Sequence, residues 1–428
     1  MRKILILLVL AAVGIVTFFV YHHPPMRLMP PPLLFQAGGE RVFDIAPATE
    51  GSEIELFYAT SRLPVGAREN RIYSVAPDWR LHVGTAELRI GEEETTLEQI
   101  REWTTRNTGS DRPFVRLERM NEAATLSDPA EIGPEAQAWL AEIDAALAAS
   151  RSRDILVYVH GANTTVERAA GQAAMLKHFA GREAVVVLFA WPTAENFLRY
   201  ARDIRNALGS APQLADLVRL LAARTQAAKI DVFTISAGAT VGSDGLALLA
   251  RETPEVADRL GEIYHAAPDA DFRAFVDDLG AYAPYARRVT AAVNLGDSAL
   301  RLAQVVNRAS RAGRPDIREL SADTSARLLA ASAAGEIEIV QVHPDRMPEL
   351  SATSHTFWYD HPWVSNDVLL TLLFHLPPAT RALAPGTAPS GAAYWTFPED
   401  YPARMPAVLE AIRPEIAGER PTLDAGAD

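Results

Sequence analysis

The sequence predicts an α/β fold, with a mostly parallel, doubly wound sheet and helices on both of its faces. Short apolar, β-branched runs recur along the middle of the chain. Helix-like segments separate them, which is typical of parallel strands joined by crossover helices. The length of 428 residues fits one large domain with terminal additions better than two independent cores. The predicted strands include residues 154–159, 184–190, 230–235, 262–266, 288–293 and 337–342.

The N-terminus predicts a membrane anchor. Met1-Arg2-Lys3 is basic, and Ile4 to Tyr21 is an uncharged apolar stretch near the shortest length that spans a bilayer. Bulky residues such as Phe18 and Phe19 stand where a cleavage site needs small ones, which favours an uncleaved signal anchor over a cleaved signal peptide. Basic residues before such a helix stay in the cytoplasm. We therefore expect a single-pass protein of the cytoplasmic membrane, with its main domain on the periplasmic or extracytoplasmic side.

Composition divides the chain after this anchor, residues 1–21, into four further segments. Residues 22–52 are proline-rich and predict an extended tether. Residues 53–133 carry short strand patterns and predict an N-terminal elaboration of the main domain. Residues 134–382 hold the predicted α/β core. Residues 383–428 are rich in proline, alanine and glycine and predict a C-terminal extension with a disordered end.

The strongest functional signal lies at Ser236, between the strand-like run 230–235 and a helix-like segment. A strand, a sharp turn that carries a serine and a helix form the layout of a nucleophile elbow. The amide of Ala237 would then donate a hydrogen bond to an oxyanion. Thr234 departs from the G-x-S-x-G pattern, because it occupies the position of the first glycine. The alternative interpretation is a turn in which Ser236 only caps the helix.

A second loop carries the other predicted oxyanion donor. The strand-like run 154–159 ends in His160-Gly161, followed by small and polar residues. An apolar strand followed by His-Gly resembles the loop that gives the second amide of such a site. Gly161 lets the backbone approach a substrate closely. The donor would be the amide of Ala162 or of Asn163.

A triad with a serine nucleophile also needs an acid and a histidine, in the chain order serine, acid, histidine. Asp297 stands in the turn after the strand-like run 288–293 and is the favoured acid. Asp269 and Asp271, which follow the preceding strand, are the competing candidates. Such an acid orients the imidazole and stabilises its charged form.

Four histidines follow the last predicted strand, and His355 is the favoured base. It lies in the loop Ser351–Trp358, which is long enough to fold back over the elbow. His361 is the next choice, and His343 and His375 remain further possibilities.

Several stretches carry a resemblance to one known family. They are Phe57-Tyr-Ala-Thr-Ser-Arg62, residues 81–90, Val157–Asn163, Leu188–Pro192 with Tyr200 and Asp203 downstream, Ala266–Asp269 and Asp297–Leu300. Over roughly residues 53 to 376 the chain resembles the bacterial α/β-hydrolase family catalogued as domain of unknown function 900. The resemblance implies an esterase- or lipase-like fold, with Ser236, Asp297 and His355 as the triad. The family usually has His-Ser-Met-Gly at the elbow, whereas this chain has Ile-Ser-Ala-Gly.

Composition excludes several other classes of function. The net charge of −13 argues against a nucleic-acid partner, because phosphate binding needs a basic surface. The absence of cysteine excludes disulfides, cysteine nucleophiles and thiolate metal sites. No glycine-rich phosphate loop follows a strand, and the histidines lack metal-ligand spacing. We therefore expect neither a cofactor nor a metal.

Two functions remain. The first is a membrane-anchored serine hydrolase, esterase- or lipase-like, whose substrate is a small molecule with an ester or other acyl bond. The second is a catalytically inactive protein of the same fold that serves as a binding or scaffold module of the cell envelope, since a fold alone does not fix a function.

Overall fold

A single sheet of twelve strands forms the centre of the part of the chain that the structure, a computed structural model, describes: residues 25–37, 51–106 and 109–416. In chain order the strands are β1 (Met26–Arg27), β2 (Glu53–Val65), β3 (Ile72–Ile90), β4 (Phe114–Leu126), β5 (Ile155–Val159), β6 (Val185–Ala190), β7 (Ile230–Ile235), β8 (Leu260–Ala266), β9 (Arg288–Val293), β10 (Ile337–Gln341), β11 (Ala384–Thr387) and β12 (Ala393–Thr396). Across the sheet their order is β1-β4-β3-β2-β6-β5-β7-β8-β9-β10-β12-β11.

Helices connect most of these strands. They are α1 (Leu33–Gln36), α2 (Leu97–Thr105), α3 (Pro134–Ala149), α4 (Val166–Phe179), α5 (Tyr200–Arg224), α6 (Gly238–Glu252), α7 (Pro254–Ala257), α8 (Phe272–Tyr282), α9 (Ser298–Asn307), α10 (Ala322–Ala334), α11 (Phe357–Asp360), α12 (Pro362–Leu372) and α13 (Met405–Ile416). Single turns of 3-10 helix lie at Arg68–Asn70, Phe197–Arg199, Ala283–Tyr285, Ile317–Glu319, Pro344–Arg346 and Tyr401–Arg404.

The sheet is mostly parallel, as predicted. Strands β2, β6, β5, β7, β8, β9, β10 and β12 run parallel to one another, whereas β1, β3, β4 and β11 add antiparallel edges. Helices cover both faces: α1, α4, α12 and α13 pack on one face, and α3, α5, α6 and α8 on the other. Because the central strands are buried on both faces, their sequences are continuous apolar runs rather than alternating patterns.

The topology places four loops at one edge of this sheet. Parallel register pairs Val159 of β5 with Thr234 of β7, Thr234 with His265 of β8, and Ala266 with Ala292 of β9. The loops after β5, β7, β8 and β9 therefore begin side by side. The chain winds in opposite directions from β5 and β7, and doubly wound sheets bind their ligands at such a switch point.

The predicted tether is wrong for residues 25–37, which belong to the folded domain. Leu28, Leu34 and Phe35 are almost fully buried, and β1 pairs with the start of β4. The Leu34 amide donates to Asn366 Oδ1 on α12 at 2.8 Å. Three consecutive prolines suggested an extended linker, but the apolar side chains around them fill the core between α4 and α12.

The predicted anchor at Ile4 to Tyr21 and the predicted disordered end at Gly418 to Asp428 lie outside the described residues. Among the residues that are described, no helix combines the length and the apolar character needed to cross a bilayer. The predicted C-terminal extension contributes β11, β12 and α13, and β12 pairs in parallel with β10.

Candidate active site

Ser236 occupies the sharp turn between β7 and α6. Its φ of 53° lies in the left-handed region, which non-glycine residues seldom adopt. Both of its backbone groups are fixed: its amide donates to the Ala266 carbonyl at 3.0 Å, and its carbonyl accepts from the Asp269 amide at 2.9 Å. A strained conformation that its neighbours hold in place is typical of functional positions. The turn holds the serine side chain at the carboxyl edge of the sheet, where it is partly exposed.

Two glycines let the surrounding backbone approach this turn. A Cβ atom at Gly238 would lie 2.5 Å from the His160 carbonyl oxygen and 2.6 Å from that of Val159. A Cβ atom at Gly161 would lie 3.0 Å from the Cβ of Ser236. The loop after β5 therefore lies directly against the serine, as a second donor loop requires.

The departure at Thr234 has a structural explanation. Its Cγ2 occupies the space left by Gly242 on α6, where a Cβ atom would lie 2.5 Å away. Its Oγ1 lies 2.7 Å from His265 Nδ1, and His265 Nε2 lies 2.9 Å from the Tyr282 hydroxyl. Burial lowers the pKa of His265 to about 3, so this histidine is a neutral hydrogen-bonding group. The extra side chain is thus accommodated by the helix, and the turn at Ser236 keeps its shape.

Ser236, His355 and Asp297 form one hydrogen-bonded line. His355 Nε2 lies 2.8 Å from Ser236 Oγ, and His355 Nδ1 lies 2.6 Å from Asp297 Oδ2. Asp297 is fully buried, whereas the His355 side chain is 21% exposed. With Asp297 ionised, Nδ1 carries the proton and Nε2 is left to accept from the serine hydroxyl. This is the arrangement that a serine nucleophile with a histidine base requires.

Asp297 also caps α9, since its Oδ1 accepts from the Leu300 amide at 3.0 Å. The neighbouring Asn294 was missed in the sequence analysis. Its buried side-chain amide donates to the Ser354 carbonyl at 2.8 Å, next to His355. This contact holds the histidine loop against the loop that carries the acid. The only signal in the sequence is an asparagine at the end of a strand, a position where turn residues are common.

The two predicted donor residues of the β5 loop have different partners. The Asn163 amide donates to Asp203 Oδ2 at 2.9 Å and is therefore occupied. Among the described residues, we find no acceptor for the amides of Ala162 and Ala237. The positive φ of Asn163, 51°, turns the chain sharply at this point. Of the two alternatives, the geometry favours Ala162 as the donor.

Hydrogen bonds with the side chains of Asp203 and Arg62 fix the position of the loop after β5. Asp203 Oδ1 accepts from the Ala194 amide at 2.6 Å, so that one carboxylate ties the loops after β5 and β6 together. Burial raises the pKa of Asp203, and the hydrogen bonds from both amides oppose that rise. Arg62 is fully buried and donates to the Thr164 carbonyl at 2.9 Å and to Glu195 at 2.9 Å. Burial lowers the pKa of its guanidinium, and the charge of Glu195 opposes this.

The competing acids have other partners. Asp269 Oδ1 accepts from Arg311 at 2.5 Å, and its Oδ2 accepts from the Tyr200 hydroxyl at 2.6 Å. Asp271 caps α8 through the amides of residues 273 and 274. In the part of the chain that the structure describes, neither carboxylate is hydrogen-bonded to a histidine.

The competing histidines are not part of the line either. His361 Nε2 lies 2.9 Å from the Pro348 carbonyl, and its Nδ1 accepts from the Trp363 amide. The His343 ring faces Tyr394, with ring centres 6.3 Å apart.

His375 lies at the opposite edge of the sheet, in a group that could hold a cation. Its ring and the carboxylates of Asp154 and Asp231 offer ligand atoms within 4.8 Å of one another. Its Nε2 lies 3.2 Å from Asp154, and its Nδ1 lies 3.6 Å from Glu262. Burial would lower the pKa of His375, but the hydrogen bonds to these two carboxylates outweigh burial and raise it to about 9. The protonated imidazole of His375 itself supplies the positive charge that balances these carboxylates, in the place of a bound cation.

The sequence model of a family described as "Alpha/beta hydrolase of unknown function (DUF900)" matches residues 135–353, just over half of the chain. The match includes Ser236 and Asp297 and ends two residues before His355. No curated protein matches the chain.

Proposed function

Because the chain belongs to this family of alpha/beta hydrolases, we propose that it is a serine hydrolase that cleaves an ester or another acyl bond. One observation carries the proposal: the hydrogen-bonded line of Ser236, His355 and Asp297 stands at a strained turn at the switch point of the sheet. Membership of the family supports hydrolase activity, and the hydrogen-bonded line of the three side chains supports a serine nucleophile.

In the first half of the reaction, Ser236 Oγ attacks the carbonyl carbon of the substrate. Its proton passes to His355 Nε2, and the buried Asp297 carboxylate stabilises the imidazolium that forms. The amides of Ala237 and Ala162 donate to the oxyanion of the tetrahedral intermediate. When this intermediate collapses, His355 returns the proton to the leaving alcohol or amine, and an acyl-serine remains.

In the second half, a water molecule takes the place of the leaving group. His355 removes a proton from this water as it attacks the acyl-serine. A second tetrahedral intermediate uses the same two amides. As it collapses, the bond between the acyl carbon and Ser236 Oγ breaks, His355 gives its proton back to Ser236 Oγ, and the carboxylic acid leaves. No cofactor enters any step.

We also propose that the protein is held in the cytoplasmic membrane by its N-terminal apolar stretch, with the catalytic domain on the periplasmic side. The support is the sequence alone: basic residues precede an apolar run that is long enough to span. Mass spectrometry of the native protein from the membrane fraction should find Met1 to Tyr21 intact, whereas a soluble chain that starts near His22 would contradict the anchor.

The proposed reaction is tested by ester turnover. The purified full-length protein should hydrolyse p-nitrophenyl esters, and Ser236→Ala should lower kcat by roughly 10³-fold or more, because the nucleophile is lost. Ser243→Ala, at a buried serine of α6 outside the line, is the matched control and should retain turnover. Unchanged turnover in Ser236→Ala, or no turnover in the wild-type protein with any acyl chain, would contradict the proposal.

A further inference from the structure

Helix α9, which begins directly after Asp297, presents an apolar surface to solvent. Leu302, Val305 and Val306 are 45%, 71% and 49% exposed, whereas Leu300 and Ala303 face the core. Exposed apolar side chains gathered on one face of a helix indicate a binding surface more often than isolated ones do.

Ser298, Leu302 and Val306 are spaced four residues apart and form one ridge along the helix. At the start of this ridge, Ser298 Oγ donates to the Thr353 carbonyl at 3.3 Å, in the loop that carries His355. From Ser298 to Val306 the ridge is about 12 Å long, at 1.5 Å per residue. It therefore starts beside the loop that carries His355 and extends along α9 to Val306.

The other end of α9 is joined by a hydrogen bond to Tyr200 of α5. Asn307, next to Val306, donates through Nδ2 to the Tyr200 hydroxyl at 3.2 Å. The Tyr200 hydroxyl in turn donates to Asp269, whose amide contacts the Ser236 carbonyl. These hydrogen bonds hold the end of α9 against Tyr200 and the loop after β8, whereas the start of α9 lies beside the loop of His355.

The surroundings add positive charge to this apolar border. Leu198, two residues before Tyr200, is 77% exposed and is followed by the exposed Arg199. Arg301 and Arg308 are exposed on α9 and at its end. The nearby carboxylates are already paired: Asp269 with Arg311, Glu195 with Arg62 and Asp316 with Arg318. Within the described residues, Arg199, Arg301 and Arg308 form no ion pair, and in a chain with a net charge of −13 such a group of arginines favours an anionic ligand.

We propose that the α9 ridge binds the alkyl chain of the substrate and that the substrate is a long-chain ester of an anionic lipid. The inference rests on the proposed function, since it places the acyl group of the Ser236 reaction along Leu302 and Val306. An extended chain of roughly ten carbons covers the 12 Å of the ridge, whereas an acetyl or butyryl group does not reach Val306. The arginines then face the charged headgroup.

Binding of the alkyl chain along the ridge is tested by comparing 4-methylumbelliferyl esters with acyl groups of 4 and 16 carbons, with the full-length protein in neutral detergent. In the double variant Leu302→Ser/Val306→Ser, the ratio of kcat/KM for the 16-carbon ester to that for the 4-carbon ester should fall by on the order of tenfold, because apolar contact with the distal carbons is lost. Leu97→Ser is the matched control: Leu97 is 42% exposed, but it lies on α2, far along the chain from the site. It should leave the ratio unchanged.

The preference for an anionic headgroup is tested with phosphatidylglycerol and phosphatidylcholine in mixed micelles of the same detergent. The wild-type protein should hydrolyse the anionic lipid faster, and Arg199→Gln/Arg308→Gln should remove most of this preference, as should high salt. Arg106→Gln, at an exposed arginine after α2, is the control. Far-ultraviolet circular dichroism and Tm of each variant verify that it is folded.

An unchanged chain-length ratio in a folded double variant, or equal rates on both lipids, would overturn this inference while leaving the serine hydrolase intact. Failure of the proposed function has a different signature, because no ester of any length would then be turned over in a manner that depends on Ser236.

Discussion

At the scale of single residues, the site depends on a buried carboxylate whose two oxygens both have defined partners. The Asp297 carboxylate uses one oxygen for His355 and the other for the start of α9. Its position is therefore fixed by the helix that it caps, and its orientation is passed on to the imidazole. A buried carboxylate so constrained stabilises the imidazolium at little cost in reorganisation.

Asparagine at position 297 should lower kcat, whereas asparagine at position 269 should mainly lower the stability of the fold. Asp297→Asn keeps the shape and the helix cap but favours the wrong imidazole tautomer, so we expect kcat to fall by up to roughly 10⁴-fold, as in serine proteases. Asp269→Asn should mainly destabilise the fold, by about 3 kcal/mol, because it leaves the Arg311 charge buried without its partner. Ester kinetics and thermal unfolding of both variants measure the difference.

The opposite pattern, with kcat more sensitive at Asp269 than at Asp297, would show that the acid has been assigned to the wrong strand end.

The residues that sequence reasoning could name are those that follow strands in a fixed order. Ser236, Asp297 and His355 were predicted because each stands in a loop after a strand-like run. The sequence indicated Arg62 only as the last residue of a stretch that resembles the family, with no role of its own, and it did not indicate Asn294. Their partners are backbone carbonyls on distant segments, so their roles depend on tertiary contacts that no local pattern records.

At the scale of elements, β7 and α6 show how a departure from a motif can be tolerated. Sequence alone does not decide whether Thr234 disrupts the elbow, because its accommodation depends on Gly242, about one turn into α6. A cluster of charged side chains lies at the opposite edge of the sheet, at the amino ends of β5, β7 and β8. In this cluster His375 contacts Asp154 and Glu262, and Asp231 lies beside them.

This polar group should make stability depend on pH. The pKa of His375 is raised from 6.5 to about 9, so its stabilising contribution is fully present below pH 6.5 and is lost as the pH rises through 9. Burial and the charge of Asp154 raise the pKa of Asp231 to about 8, which acts in the same direction. We expect the free energy of unfolding to fall by about 2 kcal/mol between pH 6.5 and 9.

Urea unfolding across that range measures the effect. His375→Gln should flatten the profile, and His361→Gln, at a histidine whose pKa burial lowers, should not. A wild-type stability that rises over this interval would contradict the assignment of the charges.

At the scale of the whole molecule, the segment before the first long strand is part of the domain rather than a spacer. Leu28, Leu34 and Phe35 fill the core, and the Phe35 ring packs edge-on against Phe179 of α4 at 5.1 Å. The alternation of strands and helices was predictable from apolar runs. The role of this segment was not, because its β1 has only two residues and its prolines are typical of linkers.

Truncation tests the extent of the domain. A chain that starts at Gly51 loses six large buried side chains, those of Met26, Leu28, Met29, Leu33, Leu34 and Phe35. Each is worth about 1.5 to 3 kcal/mol, so their sum is comparable with the total stability of a typical domain. We expect it to be unfolded or to melt far below a chain that starts at Pro24. Circular dichroism melting curves of the two chains give the answer, and equal Tm values would show that residues 25–37 do not stabilise the fold.

The most direct test of the central claim, that Ser236 is an activated nucleophile, is labelling with a fluorophosphonate followed by peptide mapping of the full-length protein. We expect one covalent adduct, on Ser236, that does not form in Ser236→Ala and forms much more slowly in His355→Ala, because the hydroxyl needs its base. An unlabelled wild-type protein, or an adduct on a different serine, would contradict it and favour a protein of this fold without catalytic activity.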